Sequence, residues 1–247
     1  MSLVWTAGAV AVLIVGTFAV AVRRARFDTI DSVWGLGFAV IAVVSCIVSP
    51  GSVGWRLLVT ALTIVWGLRL SAHIATRNHD AREDRRYARM RRHHGRIFVR
   101  VYLVQGVLMW VISLPVQVAQ SAAPSLGLVI AGIALWLLGF VFEAVGDLQL
   151  ARFRGTSRSG VLDTGLWRYT RHPNYFGDAC VWWGLYLLAC HSWVAALTIV
   201  SPLVMTALLA KGSGKPVLER DLLDRRPAYA DYIRRTSGFF PWPPRRK

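Results

Sequence analysis

The sequence predicts an all-α polytopic membrane protein of about seven transmembrane helices, with its N-terminus outside and its C-terminus cytoplasmic. Three observations carry this prediction. First, 55% of the 247 residues are hydrophobic and the mean hydropathy is positive, which is more apolar surface than a soluble domain of this size can cover. Second, the apolar residues fall into runs of about 20, the length that spans the hydrocarbon core at roughly 1.5 Å per residue. Third, 27 of the 29 Lys and Arg residues lie on one side of the alternating runs.

The spans read as 2–22, 30–49, 55–75, 97–119, 125–149, 177–190 and 194–210, in a single membrane domain over 1–247 that ends in a polar tail, 211–247. Arginines follow the first run rather than precede it, so it reads as a span and not as a cleaved signal. Every odd span ends in a basic stretch: Arg23–Arg26, Arg77–Arg100, Arg152–Arg171 and Lys211–Lys247. The turns Ser49–Gly54, Gln120–Pro124 and His191–Trp193 carry almost no charge. Only Arg56 and Arg69 fall outside this pattern. The positive-inside rule then puts the basic stretches in the cytoplasm, in a multi-pass protein of the cell membrane. Topology therefore accounts for the net charge of +16 without a nucleic-acid partner.

Cys46, Cys180 and Cys190 all lie in apolar stretches without metal-ligand or disulfide spacing, and they read as small buried hydrophobes. No metal is expected. There is no internal repeat of the kind that marks many transporters. In the tail, Gly212, Gly214 and Pro216 break the seventh helix. Glu219–Tyr232 reads as one short amphipathic helix on the membrane surface, with Phe239, Phe240 and Trp242 as interfacial anchors.

Ionisable groups inside a span cost several kcal/mol unless paired or hydrated, so they mark candidate sites. Trp66, Arg69, His73 and Arg77 follow one another at offsets of three and four, which places them on one stripe of the third helix, leading to Asn78. Glu143 and Asp147 lie four apart in the fifth span, with Gln149 and Arg154 beyond. Asp28 and Asp31 open the second. Two readings stay open here: Arg69 as a structural ion pair with Asp147 or Glu143, or a polar pocket at the cytoplasmic end of spans two, three and five. The arginines of the Arg77–Arg100 loop serve topology and anionic lipid first, although their forks also suit phosphate.

The stretch between the fifth and sixth spans is the densest in hydrogen-bonding groups. Pro173 fits the first turn of a helix, which puts His172 near the N-cap and Asn174 in the first turn. Free N–H groups there, beside Arg168 and Arg171, would make an anion site. Tyr175, Asp178, Trp182 and Tyr186 follow at helical spacing. A capped turn with an aromatic belt explains Trp167 and Tyr169, but not the combination of Arg, His, Asn and Asp.

Arg171-His-Pro-Asn-Tyr-Phe-Gly-Asp178, preceded by Gly165-Leu-Trp-Arg-Tyr169, resembles the C-terminal region of bacterial membrane proteins related to steroid 5α-reductase. The stripe from Arg69 to Arg77, with Asn78, Glu83, Asp84 and Tyr87, resembles the same group, and the likeness covers roughly residues 60–242. Isoprenylcysteine carboxyl methyltransferases carry a similar Arg-His-Pro-x-Tyr core. The resemblance implies a seven-helix reductase that binds NADPH at its cytoplasmic face. Asp147 and Arg154 match the family's cofactor residues of the fifth span. Asn174, Asp178 and Trp182 match those of the sixth, with Asp where the family has Glu. Arg69 matches an Arg of the third span. Arg77, Asn78, Arg168, Tyr169, Arg171, His172 and Tyr175 complete the candidate cofactor set. The Gln-Glu pair and Tyr that hold an enone carbonyl in the steroid enzymes have no direct counterpart. Asp31 is the nearest acid, and Trp66 stands about where the Tyr would be. Asp31, Trp66 and His73 form the candidate catalytic set.

Charge bears on the choice of cofactor. NADPH brings a pyrophosphate and a 2′-phosphate, which call for arginines. S-adenosylmethionine brings a sulfonium cation, which calls for carboxylates and aromatics. Arg69, Arg154, Arg168 and Arg171 against Asp147 and Asp178 lean toward NADPH. Glu219, with Tyr229 and Tyr232, resembles the methyltransferase C-terminus. The expected function is thus NADPH-dependent reduction of a conjugated carbon–carbon double bond in a lipid-soluble, steroid- or isoprenoid-like molecule. An S-adenosylmethionine-dependent methyltransferase of a prenyl or lipid headgroup, and a non-enzymatic lipid-binding protein, are the alternatives.

Overall fold

The computed structural model describes residues 2–79, 83, 87, 93–156, 160–212 and 215–245. Most of the arginine-rich loop lies outside them, including Arg82, Asp84, Arg85, Arg86, Arg89, Arg91 and Arg92, as do Arg158 and Gly214. Helices are the only regular secondary structure among the described residues, and one isolated parallel bridge, Thr170 to Ser237, is their only strand-like pairing. The protein is an all-α polytopic membrane protein. Among the described residues, six helices are long and apolar enough to cross a membrane: Ser2–Arg24, Thr29–Val48, Val53–His79, His94–Ala119, Leu126–Gly155 and Trp193–Ala210. Their outer faces present Trp5, Val12, Ile47 and Ile130 at 60–75% exposure. Water would not tolerate so much exposed apolar surface, but lipid does.

The chain gathers into two compact units. The first comprises Met1–Ser125 and Leu188–Ser201. It contains α1 (Ser2–Arg24), α2 (Thr29–Val48) and α3 (Val53–His79). The fourth span is segmented into α4 (His94–Ile97), a π-helical stretch over Phe98–Leu103, α5 (Val104–Ile112) and α6 (Leu114–Ala119). The break at Ser113 precedes Pro115, which sits in the first turn of α6 where its missing N–H is not needed. Polar groups around the break satisfy one another, as a hydrocarbon environment demands. Ser113 Oγ donates to the Trp110 carbonyl at 2.7 Å and accepts from Gln117 Nε2 at 2.8 Å, and Thr6 donates to Gln117 Oε1 at 2.6 Å.

α2 and α3 share the most extensive contact in this unit. Gly35 and Gly67 make it possible: a Cβ on Gly35 would lie 2.1 Å from the Gly67 carbonyl oxygen, and one on Gly67 2.4 Å from that of Gly35. Small residues are what let membrane helices approach this closely. Gly35→Ala is therefore expected to force the helices apart and cost about 1–3 kcal/mol. Thermal unfolding in detergent, compared with Gly54→Ala where a Cβ meets nothing within 4 Å, checks this. Equal melting temperatures would contradict the close approach.

The second unit comprises Leu126–Leu187 and Pro202–Lys247. α7 (Leu126–Thr156) runs well past the expected end at 149. Leu, Ala, Gln and Arg favour helix, and no breaker intervenes before Gly155. α8 (Pro173–Ala189) starts at Pro173, four residues before the expected span, and is 17 residues long. At ~25 Å it stands at the short end of what bridges a bilayer. α7 and α8 are antiparallel along a seam of small residues. A Cβ on Gly139 would lie 2.5 Å from the Gly177 carbonyl oxygen, and one on Gly184 2.7 Å from that of Gly132.

After α9 (Trp193–Ala196), a 3₁₀ turn and α10 (Val200–Ala210), the tail forms two helices rather than the one expected: α11 (Lys215–Arg225) and α12 (Tyr229–Arg235). Pro227 separates them, because it lacks an N–H and disfavours the helical region for the residue before it. Beyond α12 the tail returns to the segment before α8. Arg171 N donates to Ser237 O at 2.9 Å, Thr170 Oγ1 to Phe239 O at 2.9 Å, and Trp242 N to Tyr169 O at 2.9 Å. This return buries Phe239 against Phe176, so Phe239 is a packing residue and not the interfacial anchor expected. Phe240 and Trp242 stay exposed, at 68% and 71%.

Candidate functional site

The start of α8 fixes the geometry of the second unit's polar cluster. His172 caps the helix, its carbonyl accepting from Phe176 N at 3.0 Å and its own N–H reaching Thr170 Oγ1 at 3.3 Å. Pro173 then opens the first turn. Upstream, Gly165 adopts φ +61°, and a Cβ there would run into the Gln149 amide at 2.4 Å. Gln149 Oε1 holds Leu166 N at 3.1 Å, and Trp167 Nε1 donates to Gly146 O at 3.1 Å. The whole stretch is thus tied to the end of α7.

Glu219 of α11 sits under Arg171 and His172. Arg171 Nε donates to Glu219 Oε1 at 2.7 Å, and His172 Nε2 bonds the same oxygen at 3.0 Å. The rest of the Arg171 guanidinium serves the tail, donating through Nη1 to Ile233 O at 3.1 Å and Thr236 O at 2.5 Å. Arg171, expected beside a free anion, is here a buried clamp for α11 and α12. Burial alone would raise the Glu219 carboxyl, but the hydrogen bonds from His172 and Arg171 outweigh it and hold Glu219 down at about 2. Burial pushes His172 below its ordinary value despite the Glu219 bond. The neutral ring gives its Nε2 proton to Glu219. Its Nδ1 is then a bare acceptor, buried and without a hydrogen-bond partner among the described residues. Tyr175 stacks on this ring at 5.1 Å and 9°.

Within the first turn, Asn174 Nδ2 donates to Asp147 Oδ1 at 3.0 Å. The Asn174 Oδ1 is a second buried acceptor without a partner among the described residues. Asp147, Glu143 and Asp178 are all buried along this pair of helices, and Trp182 is wholly enclosed. Arg154, Arg168 and Tyr169 are exposed at its outer end. The structure therefore brings Asp147, His172, Asn174 and Tyr175 into direct contacts at the end of α7 and the start of α8.

In the first unit, a second polar cluster gathers below α1, α2 and α3. Arg26 pairs with both Asp28 oxygens at 2.9 and 3.2 Å and donates to Asn78 O at 2.6 Å. Phe27 N donates to Glu83 Oε1 at 2.6 Å, and Tyr102 OH to Phe27 O at 2.9 Å. Asp31, in the first turn of α2, accepts the Tyr87 hydroxyl at 2.9 Å. Tyr87 itself is 7% exposed. Trp66 is wholly buried against Phe38, at 5.5 Å. Arg69 and His73 are half-buried on α3, and Arg77 is exposed with its Nε on Asn78 Oδ1 at 3.1 Å.

The sequence profile of a family described as "Protein of unknown function (DUF1295)" matches residues 17–236. The chain belongs to the DUF1295 family. No curated protein and no solved structure matches it. The match takes in both polar clusters of this DUF1295 protein, from Arg26 to Thr236. Two of their partners, Tyr87 and Glu219, are marked in the sequence through a resemblance only and stand outside the candidate site residues. Tyr87 is the lone aromatic between Arg77 and Ile97, a chemical oddity among so many charges that marks a docked residue. Glu219 shares the basic tail with Asp221, Asp224 and Asp231 and is the only glutamate there, so its sequence position alone does not single it out as the partner of a buried Arg.

Proposed function

We propose that this protein is an NADPH-dependent reductase of a carbon–carbon double bond conjugated to a carbonyl, in a steroid- or isoprenoid-like molecule that reaches it through the bilayer. Its basic loops would face the cytoplasm, on the cell membrane. The observation that carries this reading is the Tyr87–Asp31 pair, a buried phenol bonded to a half-buried carboxyl at 2.9 Å. A buried phenol backed by a carboxyl is suited to a carbonyl oxygen on which negative charge develops. The observed bond runs from the phenol to Asp31; the reaction would need it reversed, a protonated Asp31 donating to the phenol oxygen so that the phenol proton points to the substrate. Tyr87 then stabilises the enolate oxygen and delivers the proton that completes the reduction. Trp66 has no open face for chemistry and serves the packing of α2 on α3.

The second unit fits the cofactor. Its two buried acceptors, His172 Nδ1 and Asn174 Oδ1, match the amide and hydroxyl donors of a nicotinamide nucleotide. Arg154 and Arg168 would meet its phosphates, and Asp147 would hold Asn174 in place. When bound, NADPH supplies the hydride. The likeness to steroid 5α-reductase relatives over Asn174, Asp178 and Trp182 supports the same assignment.

One observation favours a second reading. Glu143, Asp147 and Asp178, buried beside Tyr175 and Trp182, would also suit the sulfonium of S-adenosylmethionine in a lipid methyltransferase. Calorimetry on the purified protein in detergent separates the two. NADPH is expected to bind, and Asn174→Ala, which removes one acceptor and one hydrogen bond to Asp147, to weaken it about tenfold. Binding of S-adenosylmethionine without NADPH would overturn the reductase in favour of the methyltransferase.

A further inference from the structure

The returning tail builds a cleft of about 430 Å³ that neither the clamp nor the cofactor residues explain. Its walls include Arg234 and Arg235 at the end of α12, Gly238, Trp242 and Arg245. The fold constructs it deliberately: Arg245 N donates to Arg235 O at 3.0 Å, and Trp242 N to Tyr169 O at 2.9 Å. Prolines 241, 243 and 244 stiffen the segment between these bonds, so little entropy is lost when the cleft is filled.

Charge in the cleft is unbalanced. Arg234 pairs with Asp231, Arg235 lies 3.6 Å from Asp163, and Arg171 is neutralised by Glu219. Arg245 in the wall and Lys215 behind it form no ion pair among the described residues. The Lys215 ammonium lies so close over Gly238 that a Cβ there would be 2.4 Å from Nζ. Arg235 Nε is buried and has no hydrogen-bond partner among the described residues. Cations gathered this closely, with donors to spare, call for a phosphate-like anion.

The same segment says which kind. Trp242 and Phe240, beside the cleft, expose most of their rings. Exposed aromatics at a membrane protein's polar end sit at headgroup level. A free phosphate would have no use for them, whereas a phospholipid presents its phosphate and its glycerol-acyl boundary together.

We propose that this cleft binds the phosphodiester headgroup of an anionic phospholipid, with Arg245 and Arg235 on the phosphate and Trp242 against the glycerol-acyl boundary. The site would couple the docked tail to the charge of the surrounding leaflet.

Native mass spectrometry of the full chain, released from nanodiscs of mixed phosphatidylglycerol and phosphatidylcholine, tests this. One phosphatidylglycerol is expected to be retained in preference to phosphatidylcholine. Arg245→Ala should weaken its retention about tenfold, the loss of one charge-assisted contact, and the exposed Arg100→Ala should not. Arg245→Lys keeps the charge and should retain the lipid, which separates lost binding from a misfolded tail. Equal retention of the two lipids, indifference to Arg245→Ala, or displacement by millimolar inorganic phosphate would each overturn the proposal, the last by showing a site for a free anion.

Discussion

Glu219→Ala should release the C-terminal tail and destabilise the second unit by about 3–5 kcal/mol, the usual consequence of stranding a buried charge. The stranded charge is Arg171, whose side chain is 9% exposed and whose guanidinium then keeps the neutral Ile233 and Thr236 carbonyls and the Tyr229 hydroxyl but loses its carboxylate. His172 loses the acceptor of its Nε2 proton in the same step. Limited trypsin digestion reads the outcome directly: Arg234 and Arg235 are 72% and 37% exposed already, but their backbone is held in α12 and yields to the protease only once that helix undocks and unwinds. Glu219→Gln, which keeps an acceptor, should be intermediate. The pH dependence has a definite sign. Glu219 falls from its ordinary 4.5 to about 2 in the folded protein. Its stabilisation is therefore complete above about 4.5 and fades as pH falls toward 2. Protease resistance of the tail in the wild type should decline across that window, and the Glu219→Ala protein should show no decline there. Identical trypsin kinetics for the two proteins at neutral pH would refute the clamp.

Tyr87→Phe should lower double-bond reduction by about 10²–10³-fold, the typical cost of removing one donor to a developing oxyanion. The ring stays, so packing around it is preserved and the melting temperature should move little. Asp31→Asn keeps a hydrogen-bonding partner for the phenol but cannot resupply its proton, so it should lower kcat more than it raises KM. The assay follows NADPH oxidation in detergent with a panel of steroid and isoprenoid enones. Activity that survives Tyr87→Phe at its full rate would remove the pair from the mechanism. His73, half-buried on α3, would then be the next donor to test.

The membrane helices were legible because each is an apolar run of sufficient length, and length with hydropathy is all that a lipid-facing helix requires. The end of α7 was not, since a helix can leave the hydrocarbon while its residues still favour helix. The start of α8 was legible from Pro173, whose chemistry allows few other positions. The pairings that build the clusters were hidden for a different reason. Tyr87 and Asp31 are 56 residues apart, and Glu219 lies 48 from Arg171. Periodicity speaks only of neighbours within a few turns. Arg171 read as an anion ligand because nothing local reveals that a glutamate on a later helix neutralises it. Adjacent Phe239 and Phe240 are likewise indistinguishable in sequence, and the turn of the tail alone decides which one is buried.

The pairing of Thr170 with Ser237 means that the segment opening α8 is finished by residues made much later in synthesis. During translation, the ribosome must deliver α10, α11 and α12 before Arg171 and His172 acquire their partner. A nascent chain can therefore hold its helices in the bilayer while this region is still immature. Maturation then waits on the closure of a long loop at the membrane surface, a non-local step whose entropic cost is met before its contacts form. A chain stopped short of Ser237 would insert normally and yet carry an unfinished site, so membrane insertion and functional maturation should be separable events in the life of this protein.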